Sequence, residues 1–207
     1  MVLYKYEKFL IYTKEYNMSY LFKYYNKQYD KFMKIFSLDK NEVIIKVLGD
    51  IKSLEVLDIG GGTGTLASEL IKRGANVTIL DPEVKMTNIA KGKNSKVNII
   101  NGYSTNINLN DSSIDLVIMR DSFHHIVDKE STLKEIKRVL RLSGKTLIYE
   151  FDRTHIITKI IFIFERCCFE RVKMLSRDEM KFLASGYFNN SKMFDVSGYE
   201  YIYLGEK

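Results

Sequence analysis

The segment Asp58-Ile59-Gly60-Gly61-Gly62-Thr63-Gly64 constrains the fold more than any other part of this chain. It follows a short apolar run, residues 54–59, of the kind that makes a buried parallel strand. Glycines at that point let the backbone turn tightly and let a ligand approach the main chain with no Cβ in the way. Residues 65–72 then show a helical pattern, closed by Gly74. A helix that starts there points its unpaired N–H groups at whatever occupies the loop.

The chain beyond this point alternates strands and helices. Residues 76–80, 97–100, 116–119 and 146–149 read as strands, the first ending at Asp81-Pro82. Residues 83–90 read as a helix that stops near Gly92. Residues 131–140 are helical too, carrying Leu133, Ile136, Val139 and Leu140 at helical spacing. Such alternation predicts an α/β fold, a doubly wound parallel sheet with helices on both faces. Residues 156–175 read as an apolar and basic helix. Ser176-Arg177-Asp178-Glu179 is a capping-box pattern opening another helix that ends near Gly186. Residues 192–196 and 199–204 then form a predicted terminal hairpin around Ser197-Gly198.

Residues 1–50 read as helical. Tyr12, Tyr16, Tyr20 and Tyr24 recur on one helix face, and Phe32, Ile35 and Phe36 continue the apolar pattern. Two readings stay open: an amphipathic helix packed on a core, or one that covers a ligand site. At 207 residues, 45% hydrophobic and 28% charged, the whole is one globular domain with a short extension. The adjacent Cys167 and Cys168 exclude a disulfide framework and lack metal-ligand spacing, so no metal site is expected. The N-terminus has no apolar signal core, and the longest apolar run falls far short of the ~20 residues of a membrane span. The chain therefore reads as a cytoplasmic protein. Its net charge of +6 comes from scattered lysines, which make a solvated basic surface; a nucleic-acid partner is the less favoured alternative.

Spacing discriminates between ligands. Asp81 lies 21 positions beyond Gly60, where a doubly wound sheet places a carboxylate to bond ribose hydroxyls. A dinucleotide site wants Gly-x-Gly-x-x-Gly aimed at a pyrophosphate. Here Gly60, Gly62 and Gly64 make Gly-x-Gly-x-Gly, with Asp58 two residues ahead. That acid repels phosphate and suits an ammonium group. S-adenosylmethionine carries an amino group, a sulfonium and a ribose, and no phosphate.

These residues resemble the class I methyltransferases, in particular the small-molecule group typified by the ubiquinone/menaquinone biosynthesis methyltransferases. The resemblance covers roughly residues 24–205. Val56 to Gly64 is similar to the family's first motif, and Ser113-Ile114-Asp115-Leu116-Val117-Ile118 to its fourth-strand motif. Leu133 to Leu140, followed by Ser143-Gly144-Lys145, resembles the helix and turn before the fifth strand. Tyr25-Asn26-Lys27-Gln28-Tyr29-Asp30 resembles a tyrosine-aspartate stretch that leads many members.

The resemblance implies a Rossmann-like seven-stranded sheet with its last strand antiparallel. Residues 1–50 would be a helical extension over the cofactor site, and residues 51–207 the S-adenosylmethionine-binding domain. It also implies cofactor roles: Gly60, Gly61, Gly62 and Gly64 for the methionine part, Asp81 for the ribose, and Gly102-Tyr103-Ser104 for the adenine. Asp58, Pro82, Tyr29 and Arg120 complete the implied contacts, Arg120 beside the methionine part. Many relatives carry an acid where this chain has Tyr103 and Ser104. Either a hydroxyl accepts the adenine hydrogen bond here or Tyr103 stacks on the ring.

Methyl transfer from a sulfonium depends mainly on alignment in a dry pocket, and a base helps only when the acceptor loses a proton. His124 and His125, after the fourth strand, are the candidate bases; His155 has no assigned role. Arg120-Asp121-Ser122-Phe123 is not an Asn-Pro-Pro-Tyr-like motif, which disfavours exocyclic amines as acceptors. The expected acceptor is a small, apolar or aromatic molecule, and the product S-adenosylhomocysteine. The alternatives are an RNA or protein methyltransferase and a non-catalytic, cofactor-binding partner protein. Residues 156–164 stay open between a substrate lid or peripheral membrane contact and core packing or a dimer interface.

Overall fold

Apolar runs buried on both faces become the centre of the sheet. In the computed structural model, which describes residues 40–167 and 172–207, β1 (Glu55–Ile59) pairs parallel with β2 (Asn76–Leu80) on one side and β4 (Ile114–Arg120) on the other. β3 (Asn98–Ile100) extends the sheet beyond β2, and β5 (Leu140–Phe151) extends it beyond β4. The hairpin of β6 (Asn189–Ser197) and β7 (Glu200–Glu206) closes the other edge, with β7 antiparallel to both neighbours. The strand order is β3-β2-β1-β4-β5-β7-β6. This is the expected seven-stranded sheet with its last strand reversed. After β3 the chain crosses back past β1, so the order reverses between β1 and β4, and a crevice opens at their carboxyl ends.

Alternate residues of the central strands feed two cores. Leu57, Ile59, Val117 and Met119 face one layer, with Leu133 and Ile136 of α4 (Lys129–Val139) and Met180 of α6 (Arg177–Ser185). Val56, Leu116 and Ile118 face the other, with Ile44 of α1 (Asn41–Leu48), Leu66 and Leu70 of α2 (Thr65–Lys72) and Ala90 of α3 (Val84–Lys93). Strict alternation puts Asp58 on that second, apolar side.

Local signals were largely reliable. Ser176 and Glu179 close the expected capping box, with Ser176 N–H donating to Glu179 Oε2 at 2.8 Å. Asp128 caps α4 by accepting from Ser131 N–H at 2.9 Å. Two elements differ from expectation. β5 begins at Leu140 rather than near residue 146, because Ser143 takes a φ of 61° and a register shift against β4 absorbs the expected turn as a bulge. The predicted helix over residues 156–175 is α5, Ile156–Cys167; residues 172–176 are irregular and are pinned instead by Lys173 N–H, which donates to His124 O at 2.9 Å. Tyr12, Tyr16, Tyr20, Tyr24 and Tyr29 lie outside the described residues. Among the described residues no helix is long and apolar enough to cross a membrane.

Leu133 is fully buried under the sheet. Leu133→Ala is expected to lower the unfolding free energy by about 2–5 kcal/mol and Ser176→Ala by about 1 kcal/mol, both read by urea denaturation.

Candidate active site

The glycine loop is tied into the crevice from three sides. Gly60 N–H donates to Leu80 O at 2.8 Å, joining the loop to the end of β2. Gly62 N–H donates to Asp81 Oδ2 at 3.0 Å. Across the crevice, the Ser122 hydroxyl donates to Ile59 O at 2.9 Å and holds the turn after β4 against β1. Gly64 caps α2 in the left-handed conformation, φ 72°, and a Cβ there would lie 2.7 Å from that of Ala90. Only glycine satisfies both demands.

Two carboxylates stand under this loop. Asp58 is buried, and its Oδ2 has no hydrogen-bond partner among the described residues. Burial raises its pKa to about 7; Arg120 opposes the shift and Asp81 adds to it. A Cβ on Gly61 would fall 2.7 Å from that same oxygen, so only glycine packs this closely over the buried carboxyl. Asp81 is also raised by burial, with backbone N–H groups of Glu83 and Gly62 opposing. Its two oxygens accept from Glu83 N–H at 2.8 Å and Gly62 N–H at 3.0 Å, so the acid fixes the loop's shape. Pro82 is exposed beside it, and Tyr103 is half-buried. Ser104, expected near adenine, is buried with its hydroxyl 2.9 Å from that of Thr132 on α4.

The end of β4 supplies the opposite charge. Arg120 donates from Nη1 to Asn41 Oδ1, and its Nε lies 3.9 Å from Asp121 Oδ2. Asp121 takes a φ of 50°, and burial pushes its carboxyl up to about 7, against Arg120. The two histidines follow on a 3-10 turn, Phe123–His125, with their rings 4.1 Å apart. His124 is buried against Glu150 of β5, its Nδ1 2.6 Å from Glu150 Oε2, while His125 is exposed.

The fold thus gathers Asp58, residues 60–64, Asp81 and Arg120 at one sheet edge. Tyr29 lies outside the described residues. Sequence reasoning missed Asn41, Asp121 and Glu150. Glu150 carries the same signal that exposed Asp58 and Asp81, an acid at the carboxyl end of an apolar strand. Asn41 has none, since its partner lies 79 positions away.

A methyltransferase-domain family matches residues 57–148, from β1 into β5. Over this segment the chain is similar to methyltransferase domains. Over 90 residues it is 34% identical to an uncharacterised methyltransferase of Mycobacterium bovis, a match covering 44% of this chain and 37% of that protein. Over 110 residues it is 26% identical to demethylmenaquinone methyltransferase of Renibacterium salmoninarum, covering 53% of this chain and 46% of that one. The chain spans less than half the length of these curated relatives. A solved S-adenosylmethionine-dependent methyltransferase of Thermotoga maritima shares the fold, with a TM-score of 0.79 at 20% identity over 92% of this chain and 100% of that one.

Two outcomes follow for the carboxyl edge of the sheet. Gly64→Ala is expected to lower the unfolding free energy by at least about 1–2 kcal/mol, the left-handed backbone alone accounting for that much. Asp58, raised from 3.8 to about 7, favours the folded state fully below pH 4, and this contribution is lost as pH rises to about 7. Denaturation of the ligand-free protein across that window is expected to show Asp58→Asn gaining stability relative to wild type as pH rises, with the difference constant above about pH 7.

Proposed function

We propose that the protein transfers a methyl group from S-adenosylmethionine to a small, apolar or aromatic acceptor. The observation that carries this reading is the buried Asp58 Oδ2, unpartnered among the described residues and packed under Gly61 at the strand-order reversal. A pyrophosphate would meet repulsion there, whereas an ammonium group would satisfy the oxygen. In this reading residues 60–64 and Asp58 hold the methionine part, Arg120 lies beside it, Asp81 and Pro82 face the ribose, and Tyr103 meets the adenine. Ser104, engaged with Thr132, supports that wall from inside the core.

Bound S-adenosylmethionine supplies a methyl group on a positively charged sulfur. The chain's own residues bind and orient it, exclude water, and accept a proton where the acceptor has one to lose; His124 and His125 are the candidates for that last task. Similarity to demethylmenaquinone methyltransferase makes demethylmenaquinone the first acceptor to try. The apolar face of α5, where Ile156, Ile160 and Ile163 are exposed, fits the handling of an apolar molecule.

Calorimetric titration tests the reading. S-adenosylmethionine is expected to bind, and NAD and ATP are not; binding of NAD alone would overturn it. Asp81→Ala is expected to weaken cofactor binding by about 1.5–3 kcal/mol. Because Asp58 must be ionised to meet an ammonium, affinity is expected to fall as pH drops below about 7, by up to about tenfold per unit, and Asp58→Asn to remove that dependence.

A further inference from the structure

Glu150 gathers one short turn onto the end of β5. The backbone N–H groups of Phe123 and His124 both donate to its Oε1, at 2.8 and 3.2 Å. Its Oε2 lies 2.6 Å from His124 Nδ1, and both side chains are buried. The two backbone bonds hold the turn, and the third bond decides the chemistry of the ring. An ionised carboxylate can only accept, so the hydrogen of that bond sits on Nδ1. A neutral imidazole has one N–H, which leaves the lone pair on Nε2. His125, on the same turn, is exposed.

We infer that Glu150 is a positioning residue that makes His124, and not His125, the proton-accepting histidine of the pair, with Nε2 as the accepting atom. The inference rests on the proposed methyl transfer for its purpose and on the Glu150 geometry for its content. When an acceptor X–H gives up its proton, the proton goes to Nε2 and the bonding pair stays on X, ready for methylation. The imidazolium so formed keeps its Nδ1–H on the Glu150 carboxylate, which stabilises the new charge where it appears.

The charged surroundings come from four elements. Glu150 belongs to β5, and Asp121 of the post-β4 segment interacts electrostatically with His124. Lys129 at the start of α4 lies within the field of Glu150 and of Lys173, from the irregular segment before α6. Lys129 donates to Ile126 O at 2.6 Å and sits 5.2 Å from the centre of the Phe123 ring, closing the turn from the other side. His125 completes the set, tilted against His124.

The test is long-range proton–nitrogen correlation NMR on the 15N-labelled full chain, with His125→Asn and His155→Asn used to assign the signals. At neutral pH His124 is expected to show a protonated Nδ1 and a lone pair on Nε2, and acidification to add the proton at Nε2. In Glu150→Gln the amide oxygen still accepts from the two backbone N–H groups, but the amide NH2 now donates to the ring and inverts the tautomer. A wild-type His124 protonated on Nε2 at neutral pH, alone or together with Nδ1, overturns the inference. So does a Gln variant that leaves the tautomer unchanged. Should that variant not fold, the wild-type spectrum decides. Titration with S-adenosylmethionine separates the two readings: failure to bind it sinks the methyl-transfer proposal and leaves the tautomer result standing.

Discussion

A carboxylate buried on an apolar sheet face, with one oxygen unmatched among the described residues, is the constraint around which the carboxyl edge of this domain is built. Asp58 faces, with Val56, the layer of α1, α2 and α3, where its strand neighbours Ile79 and Ile118 are hydrophobic. Desolvation of a charge there is costly, and the group responds by holding its proton up to about pH 7. Such an arrangement persists where a ligand of opposite charge repays it. The glycine loop above it, the Ser122 bond to Ile59 and the reversal of strand order all place that one oxygen beneath the crevice.

The same device recurs along the edge with different uses. Asp81, just past β2, spends both oxygens on backbone N–H groups and so shapes the glycine loop. Asp121, just past β4, sits in a left-handed conformation beside Arg120. Glu150, near the end of β5, holds the histidine turn. Four parallel strands thus deliver four acids to one crevice, and Arg120 and Lys129 supply the countercharge. Parallel strands end together at one side of a sheet, which is why acids distant in sequence meet.

The local parts of this design were readable from the sequence. β1, the glycine loop, α2, β2 and Asp81 follow from a single apolar run, the turn chemistry and one strand length. The capping box at Ser176 and the terminal hairpin follow from residue types within a few positions. What escaped was set by distance. Asn41 meets Arg120, Tyr149 meets Glu200 and Glu150 meets His124 across 79, 51 and 26 positions, with no periodicity to announce them. Ser104 escaped for a related reason: its segment suggested a ligand contact, yet Thr132 of α4 is the partner it finds. The extra length of β5 came from a bulge at Ser143, where residue type alone suggested a turn.

The most direct measurement is a crystal structure of the protein grown with S-adenosylmethionine. The ligand is expected in the crevice between the ends of β1 and β4, its ammonium within hydrogen-bond distance of Asp58 Oδ2 and its ribose on Asp81. A ligand bound elsewhere, or one in the crevice that leaves Asp58 Oδ2 unpaired, would contradict this reading.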